Sequence, residues 1–131
     1  MGTLTREAIL GMQDLGRELV EVPEWGGAIY VRIMTGMQRD TFEGKVLRDR
    51  ENGDLGGLRG VRAWLVALTA CDETGNCIFQ LGDIADLGEK SSVALDRIFA
   101  VALRLNKLRN EDVEELLGNL KSGRSESPGS V

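Results

Sequence analysis

Apolar residues recur along this chain in three different patterns, and each predicts a different element. Between Ala28 and Met34, Ile29, Val31 and Ile33 alternate with Tyr30, Arg32 and Met34. That period of two marks a half-buried strand. A partner strand is predicted over Leu19 to Trp25. Gly26-Gly27 between them is a two-residue hairpin signal, since both central positions of a type I′ turn need positive φ. Pro23 has no N–H to give to a ladder, which marks the first strand as an edge. Further on, Val93, Leu95, Ile98, Phe99, Ala102 and Leu105 fall on one helical stripe, with Asp96, Arg97 and Arg104 facing water. Ser91 or Ser92 supplies its cap. The third pattern is a continuous apolar run, RAWLVALTA, which periodicity alone cannot assign. We read it as the first arm of a second hairpin, turning at Thr74-Gly75-Asn76 and returning through Cys77-Ile78-Phe79. The rival is a buried helix over Val61 to Thr69.

The remaining elements follow from caps and breakers. Thr3 to about Leu10 predicts a short helix capped by Thr3 or Thr5, with Glu7 in its first turn. Thr35 caps a helix running to about Arg50, with Gln38 completing a capping box and Phe42 and Val46 sharing one face. Glu51 to Gly60, ENGDLGGLRG, is glycine-rich and predicts a surface loop. Ile84 to Leu87 is a single turn at most. Asn110 caps a last helix whose first turns carry Glu111, Asp112, Glu114 and Glu115, where the positive end of the macrodipole favours them. Val113, Leu116, Leu117 and Leu120 lie at i, i+3, i+4 and i+7 and form one apolar seam. It either packs back on the domain or is presented to a partner as a helix for a groove. From Lys121 the composition turns to Ser, Gly and Pro, predicting a disordered C-terminal tail. The expected fold is α+β, mainly α-helical: a small single domain over 1–120 with one or two β-hairpins and a C-terminal helical pair, then the tail over 121–131.

Composition narrows the chemistry. The chain has 131 residues, one domain by length, and a net charge of −5. Its Lys and Arg are scattered, so no basic patch for nucleic acid is expected. No apolar run approaches the roughly 20 residues of a membrane helix. MGTLTREAIL lacks a basic start followed by an apolar stretch, so no secretory leader is expected. There is no histidine. That removes the commonest general base, the histidine-dependent triads and the commonest zinc ligand. Cys71 and Cys77 alone do not make a four-coordinate zinc site. Their spacing is not C-x-x-C, and without a secretory leader they are expected to be reduced. GDLGGLRG has the wrong spacing for either glycine-rich phosphate loop. EDVEE is explained as the charged first turn of a capped helix. Trp25 and Trp64 are expected as core or interface residues. No catalytic residue, cofactor site or metal site is assigned.

The order of these motifs resembles a known family. The strand pair ending in VRIMTG before a polar helix, LVALTACDETGNCIF with its acidic glycine turn, and DIADLGEKSSVALDRIFAVALRLNKLRNEDVEELLGN together resemble the tail assembly chaperones of long-tailed, siphovirus-type bacteriophages. The likeness covers roughly Leu19 to Leu120. It implies a small, non-enzymatic protein that binds the tape measure protein, keeps it soluble and helps recruit tail tube proteins around it. It also implies self-association, residence in the host cell cytoplasm and absence from the mature virion. A longer form made by ribosomal frameshifting is typical of the family and would begin in the tail after Leu120. The seam Val113, Leu116, Leu117 and Leu120 is the candidate partner-binding surface. The alternative is a structural virion component of the head-tail connector or tail terminator type.

On the ligand inventory, protein purified without chelator is expected to carry no stoichiometric zinc or iron, which elemental analysis checks.

Overall fold

A computed structural model of the chain describes residues 2–51 and 60–108. Most of the predicted Glu51 to Gly60 loop, the helix after Asn110 with its apolar seam, and the 121–131 tail lie outside the described residues. Within them the elements run α1 (Arg6–Leu10), β1 (Arg17–Val22), β2 (Gly27–Arg32), α2 (Gly36–Glu51), α3 (Val61–Thr69), β3 (Ala70–Cys71), α4 (Ile84–Leu87) and α5 (Ser92–Leu105). This is the expected α+β class. The strands form one antiparallel sheet in the order β1-β2-β3.

The first hairpin is real, but its turn differs from expectation. Val22 pairs with Gly27, so four residues connect the strands. Pro23–Trp25 form a 3₁₀ turn, and Gly26 closes it at φ 73° with its N–H on the Pro23 carbonyl at 3.0 Å. Only Gly26 needs the left-handed conformation; Gly27 already belongs to β2. Pro23 therefore starts the turn, where its fixed φ is an asset, and does not sit on the edge strand. β1 is still the edge, because β2 lies between it and β3.

The RAWLVALTA run is a helix, not a hairpin arm. Only Ala70–Cys71 are extended, and a single bridge from Cys71 to Cys77 completes a minimal second hairpin. Seven of the nine residues of α3 are buried: Val61, Ala63, Leu65, Val66, Ala67, Leu68 and Thr69. Only Arg62 is exposed and Trp64 half-buried, so a short run with one polar position gives too little pattern to tell a helix from a strand. Alanine and leucine, both strong helix formers, supply the preference instead. The hydroxyl of Thr69 donates to the Leu65 carbonyl at 2.7 Å, which satisfies it without leaving the helix.

Around α3 the other elements close the core. Val20, Val22 and Val31 descend from the sheet, Phe42 and Val46 from α2, Leu87 from α4, and Ala94, Leu95, Ile98 and Ala102 from α5. The α2 capping box forms as expected: the Gln38 N–H donates to Thr35 Oγ1 at 3.1 Å, and the Thr35 N–H donates to Gln38 Oε1 at 2.9 Å. Ser91 caps α5 by accepting from the N–H groups of Val93 and Ala94. Val93, placed on the apolar stripe by its spacing, is instead 56% exposed. Its neighbours Ala94 and Leu95 are buried in the same turn; with Ile98 and Ala102 they set the inward stripe, and Val93 falls on the opposite side of the helix.

α5 ends in a Schellman-type cap built without glycine. The Leu108 N–H reaches the Leu103 carbonyl at 2.8 Å, and the Lys107 N–H reaches that of Arg104 at 3.2 Å. Lys107 occupies the left-handed position at φ 56°. The turn delivers the Asn106 side chain into the interior. Its Oδ1 accepts from the Met34 N–H at 2.7 Å, and its Nδ2 donates to the Ala102 carbonyl at 2.9 Å. Its own carbonyl accepts from the Arg39 guanidinium at 2.9 Å. One residue thus ties the end of α5 to the β2–α2 junction and to α2.

Removing that amide strands the buried Met34 N–H. Asn106→Ala is expected to destabilise the domain by about 1–3 kcal/mol, read from the denaturant midpoint by circular dichroism. Lys107→Gly, which relieves a left-handed side chain, is expected to be neutral or slightly stabilising in the same assay.

Candidate interaction surface

The four seam residues proposed as a partner surface, Val113, Leu116, Leu117 and Leu120, lie outside the described residues. The described surface carries other apolar groups. α1 is capped by Thr5, whose Oγ1 accepts from the Ala8 N–H at 3.1 Å, yet none of its residues is buried. In and around it Leu4, Ile9, Leu10 and Met12 are all more than half exposed. A helix of five residues has little stability of its own, and this one gains none from burial. The signal for it was present in the sequence as four large apolar residues within nine, broken by Gly11. It was read only as a short helix because no face of it had to be core.

The sheet has one face on the helices and one turned outward. On the outer face Arg17 pairs with Arg32, Leu19 with Tyr30 and Glu21 with Ala28. Leu19 is half exposed, and the Arg17 guanidinium lies 5.6 Å from the centre of the Tyr30 ring, a cation–π approach. At the turn end of the hairpin, Val22, Trp25, Ile29, Ile78 and Phe79 line a shallow apolar hollow of about 280 Å³. Trp25 is therefore a surface aromatic at the rim of this hollow. Trp64 packs against the core, with the Lys45 ammonium 5.8 Å from its ring centre.

Charged residues of α5 reach across to the first hairpin. Arg97 grips Glu24 with two hydrogen bonds of 2.8 and 2.9 Å, and Arg104 reaches Glu18 at 2.6 Å. Arg62 of α3 pairs with Asp96 of α5. These three α5 side chains face water as expected, and what the pattern could not give is their partners. The Arg97 hydrogen bonds hold the Glu24 carboxyl below its ordinary range. Its contribution to stability is accordingly present above that range and lost as pH falls through the depressed value. All three pairs are well exposed, so they fix the orientation of α5 more than they stabilise it.

Among the described residues no group of three or more Cys, Asp or Glu side chains is arranged to hold a metal ion. No described helix is long and apolar enough to cross a membrane. What the described surface offers is apolar side chains on α1, an outward sheet face with an open edge, and a small hollow at the hairpin turn. Such features suit contact with another polypeptide.

No protein-family model matches the chain, and no curated protein sequence matches it. Among solved structures, the chain is similar to the tail assembly chaperone of bacteriophage HK97, at 22% identity and a TM-score of 0.56. The superposition covers 76% of this chain and 89% of that one. At this identity the likeness establishes a shared fold. It is also the type of protein that the order of motifs in the sequence resembles.

Because α1 buries nothing, the double change Ile9→Asp with Leu10→Asp is expected to leave the melting temperature unchanged, as surface substitutions stay within about ±0.5 kcal/mol. The same variant is expected to self-associate less than the parent chain in sedimentation velocity at high protein concentration.

Proposed function

We propose that this chain is a tail assembly chaperone of a long-tailed phage, a non-enzymatic protein that binds the tape measure protein and keeps it soluble while tail tube proteins are recruited. The observation that carries this reading is the fold likeness to the HK97 chaperone over most of both chains. The motif order in the sequence supports it separately. A net charge of −5 suits a protein that must keep an apolar partner in solution. The exposed apolar side chains of α1 and the edge of β1, which pairs with no further strand among the described residues, suit self-association, with a second copy of the chain as partner. On this reading the chain works in the host cytoplasm and is left out of the finished virion.

The contact with the tape measure protein is assigned to apolar surface, because a long, helical, apolar partner is best met by a groove or a seam. The seam Val113, Leu116, Leu117 and Leu120 remains the proposed surface. Co-expression with the tape measure protein of the same phage tests both levels. The wild-type chain is expected to move that protein into the soluble fraction. Leu117→Asp is expected to keep the melting temperature of the free chain and to lose this effect. Unfolding of Leu117→Asp would make the seam core, since a buried unpaired charge costs several kcal/mol. A tape measure protein that is equally insoluble with and without the wild-type chain would overturn the chaperone reading. Stoichiometric chain in purified virions would favour a structural tail component instead.

A further inference from the structure

The two cysteines have a geometric relation that the proposed function does not use. Cys71 and Cys77 face one another across the minimal hairpin as an antiparallel bridge. The hydrogen bonds flank the pair and do not join it. The Asp72 N–H donates to the Asn76 carbonyl at 2.9 Å on one side, and the Ile78 N–H donates to the Ala70 carbonyl at 3.3 Å on the other. This is the non-hydrogen-bonded position of an antiparallel ladder, where Cα atoms lie about 4.5 Å apart and side chains project to the same face. A disulfide accepts Cα separations of about 4.4–6.8 Å, so the pair falls at the short end of the allowed window.

The hairpin is also held in register independently of the sulfurs. Asp72 Oδ1 accepts from the Thr74 N–H at 2.9 Å, the Thr74 hydroxyl at 2.6 Å and the Asn76 N–H at 3.0 Å. Gly75 takes φ 92° to complete the turn and donates its N–H to the Asp72 carbonyl. Its own carbonyl is anchored by the Arg32 guanidinium at 2.9 Å. The two cysteine backbones are thus pre-positioned by a turn that does not depend on a bond between them.

The thiols differ in access. Cys71 is buried, at 2% exposure, while Cys77 is exposed. Burial, above all, pushes the Cys71 thiol up, with Arg32 and Arg17 pulling the other way. Cys77 Sγ accepts from Gln38 Nε2 at 3.4 Å, and that same Gln38 holds the α2 capping box.

We propose that Cys71 and Cys77 form a reversible thiol–disulfide pair, oxidised by low-molecular-weight disulfides of the glutathione class to an intramolecular cross-strand bond. The exposed Cys77 thiolate attacks the external disulfide, forming a mixed disulfide and releasing one thiolate. Cys71 then gives up its proton to solvent, and its thiolate attacks Cys77 Sγ, releasing the second external thiolate. Two protein thiols are oxidised and one external disulfide is reduced to two thiols. The bond closes only a short loop, so it gains little loop-closure stabilisation and stays readily reduced, the kind that serves as a labile bond. Its formation draws Cys77 Sγ towards Cys71 and away from Gln38, which couples the hairpin to the α2 cap.

The test uses the full chain in a glutathione disulfide buffer, followed by thiol alkylation and mass spectrometry. The wild type is expected to lose both free thiols per chain while remaining without interchain bonds, to yield a peptide pair linked through Cys71 and Cys77, and to recover both thiols in dithiothreitol. Cys77→Ser, at an exposed site, is expected to leave Cys71 free under the same conditions. Cys71→Ser is expected to accumulate a glutathione adduct on Cys77. If that variant fails to fold, the wild type and Cys77→Ser decide. A stable glutathione adduct on wild-type Cys77 with Cys71 still free, bonds formed only between chains, or two thiols untouched by the oxidant would each overturn the proposal.

Discussion

Everything described here is arranged around the need to cover α3. A nine-residue helix with seven buried positions, exposed only at Arg62, requires neighbours on most of its sides. The sheet, α2, α4 and α5 are those neighbours, and their apolar faces are narrow because each covers only one sector. This explains why α2 is so polar for a sixteen-residue helix. It buries Phe42 and Val46, leaves Met37 and Leu47 exposed, and is otherwise rich in charged and hydrogen-bonding residues. The small three-stranded sheet is likewise half a structure, with valines inward and a mixed face outward.

Apolar burial holds the layers together, but polar contacts decide how they are aligned. Asn106 and Gln38 both hydrogen-bond the backbone of the β2–α2 junction. Gln38 gathers the Thr35 N–H and Arg32, while Asn106 gathers the Met34 N–H and the last turn of α5. Between them they satisfy the backbone where strand becomes helix. That junction would otherwise bury unpaired donors, whose cost exceeds the net worth of a typical hydrogen bond. The ion pairs of α5 with Glu18 and Glu24 work on the same alignment from outside, at exposed positions where each is weak alone.

How much of this was legible in the sequence depended on whether a residue's neighbours were close in the chain. The capping box of Thr35 and Gln38, the Ser91 cap, the Phe42 and Val46 face and the period of two in β2 are all local, and all were readable. The α3 run is ambiguous because a short apolar stretch with a single exposed position, Arg62, has too few polar residues to distinguish helix from strand. The hairpin turn was misread because Gly26-Gly27 has the composition of a type I′ turn, yet Pro23 already begins the reversal three residues earlier. Asn106 was invisible, since nothing in a C-terminal asparagine announces a hydrogen bond to a residue 72 positions away. For the interaction surface, the sequence offered the seam of the last helix, which lies outside the described residues. The exposed side chains of α1 emerged only once the core was seen to exclude them.

The reach of that Asn106 contact has a consequence during synthesis. The Met34 N–H leaves the ribosome well before the amide that will accept from it. At translation speeds of about 5–20 residues per second, the sequence separation of 72 between Met34 and Asn106 takes roughly 4 to 14 s to cross. A hairpin forms within about 10 μs, so β1 and β2 can meet long before α5 exists, as a pair that is only marginally stable alone. During that interval α3 emerges without α5 to cover it, and its apolar surface is open to solvent. The nascent chain passes through a state in which its own core is the most adhesive surface it has. Completion of the last turn of α5 then closes the core and satisfies the β2–α2 junction in a single late step.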